Sequence, residues 1–136
     1  MSRRVLIVDD DSFFKKLMGG LFNDMGCDVA TVGDGAEALK MLEKNGYDLA
    51  VLDYHIPGAP PSEITAKLRA GTIETPIVIV TADDTVETER DARALGVAYF
   101  FVKPFPMEDL RAVARKVFDS RVGNAREEDW FRDFPG

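Results

Sequence analysis

Four short apolar runs in the sequence each stop at a residue able to do chemistry. Val5-Leu6-Ile7-Val8 stops at Asp9-Asp10-Asp11, Leu49-Ala50-Val51-Leu52 at Asp53, Ile77-Val78-Ile79-Val80 at Thr81, and Tyr99-Phe100-Phe101-Val102 at Lys103. As parallel strands of one sheet, these runs would bring their carboxyl ends together, where open α/β sheets bind ligands. Asp9, Asp10 and Asp53 would then repel one another unless a cation compensated. Magnesium suits an all-oxygen donor set and leaves positions for water and phosphate oxygens. Zinc does not fit a site without a His–Cys cluster. One carboxylate would remain accessible as a nucleophile, an aspartyl phosphate being an established covalent form. Lys103 would meet a phosphoryl oxygen as a point charge, and Thr81 would donate its hydroxyl to another. Catalysis of this kind is mostly positioning and charge neutralisation. Taken singly, a strand-end aspartate is a helix cap or turn residue, Thr81 a cap and Lys103 a solvated lysine. Four strand ends with matched chemistry call for a shared explanation.

Helical segments separate the runs. Phe14, Leu17, Met18, Leu21, Phe22 and Met25 recur at helical spacing, with Ser12 placed to cap the helix and Gly26 to stop it. A second strand is predicted over 28–32, then a turn at Gly33-Asp34-Gly35 and a helix over 36–44 closed by Asn45-Gly46. After the third strand (48–53), the loop Tyr54 to Pro61 is proline-rich, and Ser62 offers a helix start leading to Ala70-Gly71. The fourth strand is predicted over 76–80, a polar helix over 85–95 ending at Gly96, and the fifth strand over 98–102. The last helix carries Met107, Leu110, Val113, Ala114, Val117 and Phe118 on one face. Near-continuous apolar strands are covered on both faces. The expected architecture is therefore a single α/β domain: a doubly wound (βα)5 parallel sheet, flavodoxin-like, in strand order 2-1-3-4-5.

Length and composition narrow the function. A chain of 136 residues holds one domain and can bury an ordinary core. A net charge of −7 argues against nucleic acid as a partner of this chain alone, because phosphate backbones attract a surplus of lysine and arginine. Cys27 is the only cysteine, so no internal disulfide forms, and a reducing compartment is the simple account. The apolar run near the start ends after four residues at the aspartates, too short for a signal peptide or membrane span. A cytoplasmic location with no membrane partner is expected.

The motifs resemble one family, the receiver domains of two-component response regulators. The resemblance rests on Val-Asp-Asp at 8–10, Asp53 with Ile56-Pro57 shortly after, Thr81-Ala82 and Lys103-Pro104-Phe105, and it covers residues 3–118. It implies that Asp53 accepts a phosphoryl group from a histidine kinase or histidine phosphotransfer protein. It also implies that Asp9, Asp10, Asp53 and the backbone carbonyl of His55 hold Mg2+, and that Thr81 and Lys103 contact the phosphoryl group. By the same resemblance the Lys103–Pro104 bond is cis, Thr81 swings toward the phosphoryl group, and Phe100 turns inward. The surface of the fourth helix, fifth strand and fifth helix is thereby remodelled. That surface would control a downstream protein or an output domain, or pair two copies as a homodimer. The domain itself would turn over no substrate beyond its own phosphorylation and dephosphorylation.

The sequence also departs from the family pattern. Phe100 stands where tyrosine is common, so the ring has no hydroxyl, and plain core packing is its other reading. Pro60-Pro61 replaces the usual Asp-Gly, stiffening that loop and removing backbone donors. His55 and Asp83 occupy the two positions that tune phosphoryl lifetime in the family, although an exposed loop histidine without a role is the simpler expectation. Residues 119–136 form a tail or linker in which Trp130, Phe131 and Phe134 sit among charges and would either dock on a groove or fray. Two rival readings fit the residues less well. A haloacid-dehalogenase-type phosphatase would use Asp9 as nucleophile, but its lysine would have to precede Asp83-Asp84, whereas Lys103 follows. A flavodoxin-type ligand module would need hydroxyls and amides, not three aspartates, after the first strand.

Overall fold

The computed structural model describes residues 2–70 and 75–120. Strands and helices alternate as β1 (Arg4–Val8), α1 (Ser12–Asp24), β2 (Asp28–Val32), α2 (Gly35–Lys44), β3 (Leu49–Asp53), α3 (Pro61–Arg69), β4 (Ile77–Thr81), α4 (Val86–Ala94), β5 (Tyr99–Val102) and α5 (Met107–Ser120). Each helix returns the chain to the starting edge, so all strand pairs are parallel, in the order β2-β1-β3-β4-β5. Every residue of β3 and β4 is buried, as the unbroken apolar runs require. β2, at the edge, buries only Val32 and carries a mixed sequence to match.

Alternation along the strands divides the core into two layers. On one face Val5, Ile7, Val51, Val78, Val80 and Phe101 pack against Phe14, Met18, Leu21 and Phe22 of α1 and Leu110, Val113 and Val117 of α5. On the other, Leu6, Val8, Leu52, Ile79 and Phe100 meet Ala38 of α2, Ile64 and Leu68 of α3, and Ala92 of α4. Among the described residues no helix is long and apolar enough to cross a membrane.

Helix starts show where local chemistry differs from the sequence expectation. Asp11, not Ser12, caps α1: its carboxylate accepts from the Phe13 and Phe14 amides at 3.0 and 3.2 Å. α3 begins at Pro61, one residue before Ser62, because a proline in the first turn gives up an amide that had no helical partner anyway. No side chain caps that helix. Thr85, read in the sequence only as the start of the polar helix, caps α4 through its hydroxyl, and Gly96 leaves it at φ +76°. Gly26 leaves α1 in the same way, at φ +82°.

The β3–α3 loop is pressed onto the start of α2. The Gly35 amide donates to the Pro57 carbonyl at 2.7 Å, and a Cβ on Gly35 would stand 2.7 Å from the Ala59 carbonyl oxygen. Gly58, at φ +93°, leaves equally little room: a Cβ there would lie 2.6 Å from Oδ1 of Asp34, the cap of α2. This contact fixes the loop that follows Asp53. α5 continues to Ser120, and Trp130, Phe131 and Phe134 lie outside the described residues.

Candidate functional site

Strand register sets the site. β1 and β3 are neighbours with Val8 opposite Leu52, so Asp9 and Asp53 emerge side by side at their carboxyl ends. Asp53 lies opposite Val80, which brings Thr81 one step beyond it, and Thr81 lies opposite Val102, the residue before Lys103. The Lys103 amide donates to the Thr81 carbonyl at 2.8 Å, and the Lys103–Pro104 bond is cis, as the resemblance implied.

From the far edge of the sheet, Lys103 reaches over to the acids. Its ammonium stands 2.8 Å from Asp9 Oδ2, 2.9 Å from Asp53 Oδ2 and 3.9 Å from Asp11 Oδ2. Its ammonium lies over the Phe14 ring, 5.1 Å from the ring centre, and Phe105 leans on that ring. The side chain is only 6% exposed. Burial pushes the lysine pKa down, but hydrogen bonds and attraction from Asp9 and Asp53 outweigh it and hold the ammonium above its usual range. For Asp9, burial wins over the help from Lys103 and the Asp11 amide, and its carboxyl is pushed up. One ammonium thus does not satisfy the acids.

The remaining electrostatic demand matches a hard dication. Ligand oxygens of Asp9, Asp10 and Asp53 lie within 4.8 Å of one another, and with Lys103 counted the cluster carries a net formal charge of −2. Asp9 Oδ1 accepts from the Asp11 amide at 2.8 Å, but Oδ2 is fully buried and accepts no well-directed hydrogen bond beside its ion partner Lys103. The ammonium that meets this oxygen is shared with Asp53 and Asp11, so a dication would add counter-charge where one lysine is spread over several acids. Asp10 is exposed, leaving solvent access on one side. All-oxygen donors suit magnesium or calcium rather than zinc.

Thr81 is buried, and its hydroxyl oxygen accepts from the Asp83 amide at 3.1 Å. Asp53 Oδ1 similarly accepts from the His55 amide at 3.0 Å. The His55 ring is not idle: Nε2 lies 2.7 Å from Asp83 Oδ2, linking the loops after β3 and β4. Asp83 also receives hydroxyl bonds from Thr88 and Thr85 and the Thr85 amide. Led by Thr88 and Thr85, with His55 adding to them, these donors hold its carboxyl well below the usual range. The sequence carried one sign of this pair, since each residue stands two positions past the end of neighbouring strands. Asp11 stands among the loop acids in the sequence, and its capping role appears only in the fold. Phe100, expected to turn inward on switching, is already buried in the layer with Ile79, Ala92 and Val97.

Fold and site together describe a five-stranded parallel α/β domain whose switch-point crevice holds a lysine-bridged acidic cluster. The family model described as "Response regulator receiver domain" matches residues 5–115, and the chain belongs to that family. It is 29% identical over 116 residues to sporulation initiation phosphotransferase F of Bacillus subtilis, covering 85% of this chain and 94% of that protein. Alginate biosynthesis transcriptional regulatory protein AlgB of Pseudomonas putida is 32% identical over 125 residues, 92% of this chain but 28% of the longer regulator. Among solved structures, chemotaxis response regulator CheY4 of Vibrio cholerae superposes with a TM-score of 0.77 at 28% identity, covering 86% of this chain and 99% of that one. Receiver domains are signalling domains rather than conventional enzymes, and the phosphatase reading with Asp9 as nucleophile is not favoured. Asp9 is wholly enclosed, whereas the Asp53 side chain keeps 11% exposure.

Proposed function

We propose that this chain accepts a phosphoryl group on Asp53 from a histidine kinase or histidine phosphotransfer protein and reports it to a downstream partner. The observation that carries this reading is the Lys103 ammonium, 2.9 Å from Asp53 Oδ2 and shielded from water. Asp53 is the acid suited to attack, because Asp9 is closed off and its carboxyl pushed up, while Asp10 is solvated. A carboxylate oxygen of Asp53 bonds to phosphorus as the bond from phosphorus to the donor's imidazole nitrogen breaks, and that nitrogen keeps the electron pair. Lys103 then transfers one of its hydrogen bonds to a phosphoryl oxygen, and the Thr81 hydroxyl donates to another. Asp9, Asp10, Asp53 and the His55 carbonyl would hold Mg2+, which when bound neutralises charge on the transferring group. Hydrolysis of the aspartyl phosphate resets the site.

Of the two residues expected to switch, Thr81 and Phe100, Thr81 is the proposed reporter, since Phe100 is already buried. With the Phe100 ring already inside, Thr81 is the part with a second position still to take. The changed surface is α4–β5–α5, offered to a protein target, an output domain or a second copy of the chain. Relatives named as a phosphotransferase and a transcriptional regulator support partners of both kinds. The functional unit spans residues 3–118 with 119–136 as tail or linker, and kinase-fed signalling places it in the cytoplasm. Incubation with acetyl phosphate and Mg2+, followed by intact mass and peptide mapping, tests the proposal. One phosphoryl group on Asp53, lost in Asp53→Asn and in EDTA, is expected. Equal labelling of Asp53→Asn, or none in the wild type, would overturn it.

A further inference from the structure

The His55–Asp83 bond joins two loops whose other anchors are the groups that change on phosphorylation. His55 is tied through its amide to Asp53 Oδ1, and Asp83 through its amide to the Thr81 hydroxyl. Between those anchors the imidazole Nε2 meets the Asp83 carboxylate at 2.7 Å. A carboxylate only accepts, so Nε2 carries the proton, as either the neutral tautomer or the imidazolium supplies. We propose that this pair is a latch that holds the resting conformation, and that phosphoryl capture releases it from both ends. The proposal rests on Asp53 being the acceptor.

When Asp53 is phosphorylated, its carboxylate becomes a mixed anhydride and a weaker acceptor for the His55 amide. When the Thr81 hydroxyl turns to donate to the phosphoryl group, it withdraws the acceptor that aims the Asp83 backbone. Asp83 remains bonded to Thr85 and Thr88, so the acid stays with the first turn of α4. The loop carrying His55 is the partner left behind, and its link to α4 is what opens. Thr88 belongs to α4 and Thr81 to β4, so the latch connects the acceptor to the proposed output surface. In the resting form it favours silence, and an intact latch must be broken before switching is complete.

Cutting the latch should therefore make the activated form easier to reach. His55 is 59% exposed and Asp83 22%, so the pair is a partly solvated one of modest strength. Loss of such a pair corresponds to about a two- to fivefold gain in affinity for an activating ligand. The test measures beryllofluoride binding to the full chain in saturating Mg2+, by calorimetry and fluorine NMR, for wild type, His55→Ala, Asp83→Ala, the double variant and Asp53→Asn. Thermal unfolding without ligand checks that each variant folds. Each single latch variant should bind about two- to fivefold tighter, and the double variant no tighter than either single one. Unchanged or weaker binding by His55→Ala, or gains that multiply in the double variant, would overturn the latch while leaving the acceptor intact. No binding by the wild type, or equal binding by Asp53→Asn, would overturn the acceptor reading and the latch with it.

Discussion

Replacing Lys103 with methionine separates the structural from the chemical work of the site. The side chain is 6% exposed and its ammonium meets Asp9 and Asp53 at 2.8 and 2.9 Å. Removing one partner of a buried ion pair costs about 3–5 kcal/mol, because the other charge is left uncompensated. Here the lower end applies, about 3 kcal/mol, since Asp53 is partly solvated and Asp9 can take up a proton. A loss of that size lowers the midpoint of a domain this long by roughly 10 °C. Urea unfolding followed by circular dichroism in EDTA measures it. In excess Mg2+ the cost should fall, because a dication bound to the acids takes over part of the compensation. The pH dependence provides a check on sign. Burial raises the Asp9 carboxyl above its ordinary 3.8, so the stability of the protonated form is fully present below about pH 4 and is lost as pH rises through the folded-state value. Without Lys103 that value rises further, and acidification from neutral pH should stabilise Lys103→Met more than wild type. A cost below about 1 kcal/mol in EDTA, or an equal cost with and without Mg2+, would refute the reasoning.

Other substitutions probe the parts that position the site. Gly35→Ala forces a methyl to within 2.7 Å of the Ala59 carbonyl and should cost about 1–3 kcal/mol in urea unfolding, with Gly46→Ala, where nothing lies within 4 Å, as the mild control. Asp11→Ala should lose about 1 kcal/mol with the cap of α1, and Asp11→Asn should recover most of it in the same assay. Thr81→Ala should still gain a phosphoryl group from acetyl phosphate by intact mass, yet show smaller chemical-shift changes across α4–β5–α5. Full shifts in that variant would remove Thr81 from the reporting role. In the metal-free wild type, Mg2+ at tenfold its dissociation constant should add about 1.4 kcal/mol of stability, and Asp9→Asn should reduce the gain.

Much of this architecture was legible because burial on two faces leaves a plain trace. Val5–Val8, Leu49–Leu52 and Ile77–Val80 had no alternation to confuse with a surface strand, and their polar stops marked the crevice. Strand order 2-1-3-4-5 is a common doubly wound arrangement that right-handed crossovers permit. The parts that were not legible are those decided by backbone geometry or by register. Three aspartates in a row look equivalent in sequence, and only φ and ψ at Asp11 turn the third toward the helix amides. Ser62 is the better cap by residue type, but Pro61 already has the dihedral the first turn needs. His55 and Asp83 are 28 residues apart and meet only because β3 and β4 pair, so no local pattern joins them. The inward seat of Phe100 depends on the packing of Ala92 and Val97, which hydrophobic periodicity alone does not specify.

The position of Lys103 has a consequence for how the protein folds. The acids come from β1 and β3, adjacent strands in the first half of the chain, whereas the counter-charge follows β5, the last strand. Wherever β1 pairs with β3 before β5 docks, like charges gather without the lysine, and that step runs against electrostatic repulsion. Lys103→Met should leave the folding limb of a chevron nearly unchanged and speed unfolding, whereas Mg2+ or added salt should accelerate folding itself. The same ion that serves the finished crevice would then act as an aid to its construction.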